Sequence, residues 1–276
     1  MKKTSSWLSL SALIFCVFVV SCSKRDNPAP ATVFTGPVAL LDSVVETSTN
    51  NEKTQHYFTY NADSGVAKFT ILYSDKHFMS DFLFYDNSPV KRLLLVSQSL
   101  TGKVEDVYGT RRCYYNTAGL LTTVKNNSSD STSLVYNSNK QLIGRYSYNN
   151  DSIYESNVLT WSGPNLVKSV YTYYRSGDPK LPVVFTYNYK YDNKRNAYSS
   201  VGFYSMLGYA SAFYWLSANN VVEMEQSSGG NTFIYTFNYE YNNKNYPVTG
   251  AVNVSKKLPG ENFNFYNATK RFVYKD

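Results

Sequence analysis

Few residues in this chain are of a type and spacing that could do chemistry. His56 and His77 are the only histidines, and neither has a partner at metal-ligand spacing. Strand-end histidines are the expectation, with no metal and no cofactor. Glu223 and Glu225 alternate onto one face of a predicted strand. Paired carboxylates can hydrolyse glycosides at suitable separations, but neighbouring same-face positions read as solvated surface. There is no Gly-x-Ser-x-Gly, no His-Glu-x-x-His and no glycine-rich phosphate loop. No catalytic residue is assigned, a non-enzyme is expected, and a hydrolase of scattered acidic residues is the weakest alternative. The remaining chemical signal is aromatic: 27 of 276 residues are tyrosine. Tyr and Trp stack on sugar faces while offering a polar tip. The stacking candidates are Trp161, Tyr171, Tyr173, Tyr174, Tyr204, Tyr209 and Trp215; the competing role for all seven is to pack a large sheet.

The cysteines say where the chain resides. Lys2 and Lys3 form a basic start, and Trp7 to Val20 is apolar but short for a membrane-spanning helix. Val19-Val20-Ser21-Cys22 follows and resembles a bacterial lipobox. That resemblance implies a thioether-linked diacylglycerol on Cys22, cleavage before it and acylation of the new amine, which together anchor a protein stably. The alternative is an ordinary secretory signal. Residues 1–21 are therefore expected to be a signal peptide. Residues 22–37, with Asn27-Pro28-Ala29-Pro30 and Gly36-Pro37, are expected to be a flexible tether. The implied location is the bacterial envelope, lipid-anchored, at the outer membrane on its periplasmic or surface face. Cys16 leaves with the signal, so Cys113 is the one thiol of the folded part, with no disulfide partner and an expected role as a small buried apolar residue. Loss of Lys2 and Lys3 lowers the formal charge from +7 by two, to +5, without a basic stripe, so no nucleic-acid partner is expected. Asp42-Ser43-Val44, Asp130-Ser131-Thr132 and Asp151-Ser152-Ile153 resemble short O-glycosylation triplets of envelope proteins.

A repeat must position these residues. Aromatic–Asn/Asp/Ser steps occur at Tyr60-Asn61, Tyr85-Asp86, Tyr115-Asn116, Tyr136-Asn137, Trp161-Ser162, Tyr191-Asp192 and Tyr241-Asn242, each with an apolar residue shortly after (Val66, Val90, Leu120, Leu142, Leu166, Ala197, Val248). Each reads as strand, tight turn, strand. The Asx or Ser side chain bonds back to the turn backbone, and Gly65 and Gly119 sit where a left-handed residue would close it. A degenerate eighth unit is placed at Trp215, with Ala218-Asn219-Asn220 as its turn. Alternation puts Phe58, Leu83, Cys113, Leu134, Leu159, Tyr189, Phe213 and Tyr239 on a core face. Thr59, Phe84, Tyr114, Val135, Thr160, Lys190, Tyr214 and Glu240 fall on a wetter one.

The reading is one all-β domain over 38–276, an antiparallel meander of roughly sixteen strands. A sheet that large curls, splits or closes, and a closed barrel of that size must hold a plug, a ligand or water. Residues 198–216 lack alternation and are a candidate plug, helical or looped. Strands of ~5–8 residues fall short of the ~9–11 that a membrane barrel needs. A transmembrane pore is therefore the alternative rather than the first reading.

Tyr189-Lys190-Tyr191-Asp192-Asn193-Lys194, Asn219-Asn220-Val221, Tyr239-Glu240-Tyr241 and Asn245-Tyr246-Pro247 resemble uncharacterised bacterial lipoproteins that carry a domain of unknown function with a porin-like fold. The hairpin units are also similar to tyrosine–aspartate (RHS-type) repeats, with Tyr115-Asn116-Thr117-Ala118-Gly119-Leu120 the best copy. Asn stands for Asp in most units, and Ala197 where Pro would be expected. The resemblance implies a curved or barrel-like antiparallel sheet in a secreted or envelope protein. The anchor, the repeats and the missing catalytic set lead to the expectation of a glycan, lipid or protein partner, or of a structural role. It carries over no catalytic residue.

Overall fold

The computed structural model describes residues 38–75, 77–88, 91–126, 129–174, 181–207, 212–258 and 261–275. The signal, the tether, Cys22, Val90 and Tyr209 lie outside the described residues, as does the side chain of Tyr204. The first half of the chain forms β1 (Leu41–Ser48), β2 (Lys53–Tyr60), β3 (Val66–Leu72), β4 (Phe78–Tyr85), β5 (Leu93–Ser99), β6 (Val107–Tyr115), β7 (Leu121–Asn126) and β8 (Ser131–Tyr136). The second forms β9 (Leu142–Asn149), β10 (Ser152–Ser162), β11 (Asn165–Tyr173), β12 (Val183–Arg195), β13 (Asn219–Ser228), β14 (Asn231–Tyr241), β15 (Pro247–Leu258) and β16 (Glu261–Tyr274). Each strand pairs antiparallel with its neighbours in chain order, and β1 pairs with β16 to close the barrel. Closure leaves no unpaired edge. The strands are longer than expected in the second half: β10 and β12–β16 run 10 to 14 residues.

The aromatic–Asx step works by two bonds. The Asx oxygen closes the turn: Asn61 Oδ1 accepts from Gly65 N at 2.8 Å, Asn116 Oδ1 from Leu120 N at 2.9 Å and Asn242 Oδ1 from Tyr246 N at 3.0 Å. The left-handed residue stands three positions after the Asn, at Ser64, Gly119, Lys140 and Asn245. Gly65 is therefore not the left-handed residue; Ser64 takes that conformation instead. The aromatic sits at a register shift, and its polar tip bonds the first carbonyl of the preceding strand. Tyr60, Tyr85, Tyr115 and Tyr136 donate to the carbonyls of Leu41, Val66, Leu93 and Leu121 at 2.7 to 3.0 Å. Trp161 does the same to Leu142 at 2.7 Å with its indole N–H. A bulge bends the strand and leaves a ladder group unpaired; here the aromatic tip pairs with a neighbouring carbonyl.

Faces follow the alternation. Phe58, Leu83, Cys113, Leu134, Leu159, Tyr187 and Tyr189 are buried in the lumen, while Phe84, Tyr114 and Val135 are exposed outside. Burial pushes the Cys113 thiol up to about 11. The outer face of the long strands is mixed: Lys190 pairs with Glu223 at 2.8 Å, Thr236 and Asn253 continue that row with Glu225 two positions along β13, and Val158 and Val184 are exposed apolar residues.

Two expectations are corrected. Tyr191-Asp192 opens no tight turn, because β12 continues to Arg195. Trp215 anchors no repeat unit, and Ala218-Asn219-Asn220 is no turn: Asn219 and Asn220 begin β13, and Trp215 lies in a 3-10 turn, Phe213–Leu216. The eighth aromatic is Tyr274 of β16, whose hydroxyl donates to Pro247 O at 2.8 Å. Between β12 and β13 the chain enters the lumen. Ala197, Tyr198, Val201, Leu207, Ala212, Phe213 and Trp215 are all buried there, joining core clusters from both halves of the wall. The neck of this plug is tied by buried asparagines. Asn196 Nδ2 donates to Ser217 O at 2.8 Å, Asn220 Nδ2 to Arg195 O at 2.7 Å and Asn165 Nδ2 to Asn219 Oδ1 at 3.0 Å. The plug therefore enters from the end that carries the aromatic–Asx turns. β1 starts and β16 finishes at that end, where Lys275 N donates to Leu40 O at 2.9 Å.

Candidate functional site

The lumen beyond the plug, towards the opposite end, holds two adjoining cavities. The first is about 360 Å³ and is walled by Tyr187, Tyr235, Phe237, Tyr266, Met224 and Gln226. The second is about 300 Å³ and is walled by His56, Phe69, Ile71, Tyr73, Tyr198 and Trp215. Tyr214 and Lys270 line both and form the ridge between them. Tyr214 was expected on a wet outer face; as part of the plug it lies inside. Tyr73, just past the end of β3 and 45% exposed, marks the mouth of the second cavity.

Each wall residue is placed by strand alternation. Lys270 and Phe272 point inward from β16, and Glu46 faces Lys270 across the seam that closes the barrel. Lys270 Nζ lies 2.9 Å from Glu46 Oε2, and Tyr266 donates to Glu46 Oε1 at 3.2 Å. Burial opposes the Lys270 ammonium, but Tyr198, Tyr214 and Glu46 outweigh it, so its pKa lies above the ordinary lysine range. Burial also opposes the Glu46 carboxylate; the Lys270 charge and hydrogen bond hold its pKa below the usual value. His56 goes the other way: burial, then the Lys270 charge, push it down to about 4. Its ring lies edge-on to Trp215, with centroids 6.5 Å apart, and Trp215 stacks flat on Tyr198 at 4.3 Å. His56 Nδ1 and Trp215 Nε1 are both buried and have no hydrogen-bond partner among the described residues. Buried polar atoms are normally paired with protein, water or ligand.

A second polar cluster lines the wall at β9–β11. Arg145 pairs with Glu155. Glu155 also accepts from Ser147 Oγ at 2.9 Å and from Tyr171 OH at 3.1 Å. Burial, followed by the Glu155 charge, raises the Tyr171 hydroxyl well above its ordinary range.

The five described stacking candidates do not form one surface. Trp161 is a bulge anchor at the plug end. Tyr171 lies on the inner wall, stacked on Phe185 at 6.0 Å. Tyr173 and Tyr174 stand at the opposite end, Tyr173 exposed and Tyr174 N bonded to Tyr154 O at 2.8 Å. Trp215 belongs to the plug and lines the second cavity. Glu223 and Glu225 are outside the barrel, opposite Lys190 and Asn188. Sequence reasoning missed Glu46, Lys270, Tyr198 and Tyr214. A signal existed for Lys270: stepping back by twos from Tyr274 gives Phe272 and then a lysine, a charge at an inward position.

No family model matches the chain, and no curated protein is significantly similar. Two solved structures, TcdB2-TccC3-TEV and TcdB2-TccC3 without its hypervariable C-terminal region, each give a TM-score of 0.28. Identities are 10% and 13%; the matches cover 78% and 70% of this chain and 14% and 10% of those chains. Scores that low are below the level at which a shared fold follows. The crystal structure of a porin-like protein from Bacteroides uniformis ATCC 8492 matches with a TM-score of 0.56 at 11% identity, over 87% of this chain and 98% of that one. Such low identity speaks for the fold alone, and that fold is the closed, porin-like all-β barrel.

Proposed function

We propose that this chain is a non-enzymatic lipoprotein of the cell envelope, held to the outer membrane through Cys22, whose plugged barrel binds a small glycan- or lipid-derived ligand in the lumen. The observation that carries the reading is the plug. A barrel of this size without one would be a channel, whereas here residues 197–207 and 212–217 fill one end and floor two cavities towards the other. The tyrosine walls suit a hydroxylated ligand, since each ring offers an apolar face and a polar tip. β1 starts and β16 finishes at the plug end, so attachment through Cys22 would put the mouth on the side away from the membrane.

The transmembrane-pore reading has the length of β10 and β12–β16 in its favour. Against it stand Lys190, Glu223 and Glu225 in mid-strand on the outer face, where a membrane barrel carries an apolar band. Replacing Cys22 by Ala and fractionating the cells separates the two. Soluble, folded protein is the expected result; retention in the outer membrane as a barrel would overturn the lipid-anchor reading. Thermal-shift screening of the released protein against envelope and dietary glycans and lipids tests binding. No stabilisation across a broad panel would leave a structural role.

A further inference from the structure

The two cavities share the Lys270 ammonium, but only the first has a carboxylate, Glu46, in its wall, and that difference names a ligand class. This step rests on the luminal-binding reading. Glu46 lines the first cavity, and both of its oxygens are engaged, by Lys270 and by Tyr266. Among the described residues no acidic side chain lines the second. The residues with polar groups in its wall are Lys270, Trp215, His56 and the tyrosines Tyr73, Tyr198 and Tyr214. An indole N–H is only a donor, and an ammonium has three protons, of which Glu46 Oε2 takes one. Trp215 is 5% exposed, and its indole N–H is unpartnered among the described residues. Phe69, Ile71 and the stacked Tyr198 keep the surroundings apolar, where charge-assisted hydrogen bonds are strongest.

We infer that the second cavity is a carboxylate subsite. The luminal ligand places a carboxylate between Lys270 Nζ, Trp215 Nε1 and His56, and the rest of the molecule lies over Tyr214 in the tyrosine-walled first cavity. Lys270 supplies the charge and Trp215 the direction. His56, neutral when the site is empty, donates through Nδ1 in the tautomer that carries its proton there. Such a carboxylate has two sources, an acidic sugar or a fatty acid.

The test uses the mature chain with Cys22→Ala and its two remaining tryptophans. Trp161 is an internal reference, because its indole N–H is already bonded to Leu142. The indole ¹H–¹⁵N resonances are followed while D-glucuronate, D-glucose, decanoate or decanol is added. A downfield shift of the Trp215 indole with glucuronate or decanoate, and not with glucose or decanol, is expected, with Trp161 unmoved; the responding acid identifies the source. Lys270→Met should weaken that acid about tenfold or more, as loss of a charged hydrogen bond does. Trp215→Phe keeps the stack on Tyr198 and should weaken it several-fold, read by the acid's thermal stabilisation of the variant against the parent because the indole probe is gone; this keeps the proposal testable if Lys270→Met fails to fold. Equal shifts from the neutral partners would overturn the carboxylate assignment and leave luminal binding standing. No luminal shift with any of the four would overturn the carboxylate assignment, and the broad panel then decides separately on luminal binding.

Discussion

Lys270 Nζ sits 2.9 Å from Glu46 Oε2 on the inner face of the β1–β16 seam, so one ion pair links the first and last strands of the barrel. Removing either partner leaves a mostly buried charge unpaired, which costs about 3–5 kcal/mol in a dry interior. The Glu46 side chain is 32% exposed at the cavity, and that wetting reduces the cost. Glu46→Met or Lys270→Met should therefore lower unfolding free energy by about 2–3 kcal/mol, measured by urea titration. The double Met variant should recover most of the loss, because an apolar pair needs no compensation. A double variant as unstable as the sum of the singles would show that the pair is not coupled.

Burial of His56, with the same ammonium beside it, shapes the acid limit of stability. His56 has its pKa pushed from 6.5 to about 4, so between those values the unfolded chain binds a proton that the folded chain does not. Stability therefore rises with pH across that window; the contribution is complete above about 6.5 and lost as pH falls to about 4. Its ceiling is about 3 kcal/mol. Glu46, with a lowered pKa, loses stability in the same direction at lower pH. His56→Phe should flatten the stability profile between pH 6.5 and pH 4 relative to the parent. Denaturant midpoints taken at half-unit pH steps check this, and parallel profiles would refute the buried neutral ring.

Trp161 tests the repeat itself. Its indole N–H replaces a tyrosine hydroxyl in bonding the carbonyl of a neighbouring strand, at 2.7 Å. Leu142 is buried, so Trp161→Phe leaves its carbonyl without that donor and should cost about 1–3 kcal/mol. Trp161→Tyr restores a donor of the type used at Tyr60 or Tyr136 and should cost less than half as much. Equal losses in the two variants, by urea titration, would mean that bulk rather than the hydrogen bond fixes the bulge.

These anchors show what the sequence made legible. The aromatic–Asx step is local, since the turn bond spans four residues, as from Gly65 to Asn61. Its position and its inward side chain were therefore readable. The other half of the device joins residues 15 to 27 apart, such as Tyr136 with Leu121 and Tyr274 with Pro247. Nothing in local alternation reports such a bond. The plug was visible only as a lapse in periodicity, because 3-10 turns with apolar residues on all sides have no period. That lapse also put Trp215 into a repeat to which it does not belong. The site was least legible. Glu46 and Lys270 are 224 positions apart and meet only because the barrel closes, and Tyr214 enters the lumen only because the plug does.

Gly202 shows how closely the plug is folded on itself. A Cβ at this position would lie 2.7 Å from the Trp215 carbonyl oxygen and 3.1 Å from its carbon. Both are backbone atoms, so no side-chain rotation relieves the clash, and the two 3-10 turns, Gly202–Leu207 and Phe213–Leu216, must move apart. Overpacking of this kind costs about 1–3 kcal/mol. The strands do not depend on this contact, so Gly202→Ala should leave a folded barrel with a loosened plug. Hydrogen exchange should quicken at the amides of 198–207 and 212–216 while β14 and β15 keep their protection. Because Trp215 floors the second cavity, the same variant should also weaken any ligand that shifts its indole resonance. Unchanged exchange in the plug would mean that the wall, rather than the plug's own close contact, holds Trp215 in place.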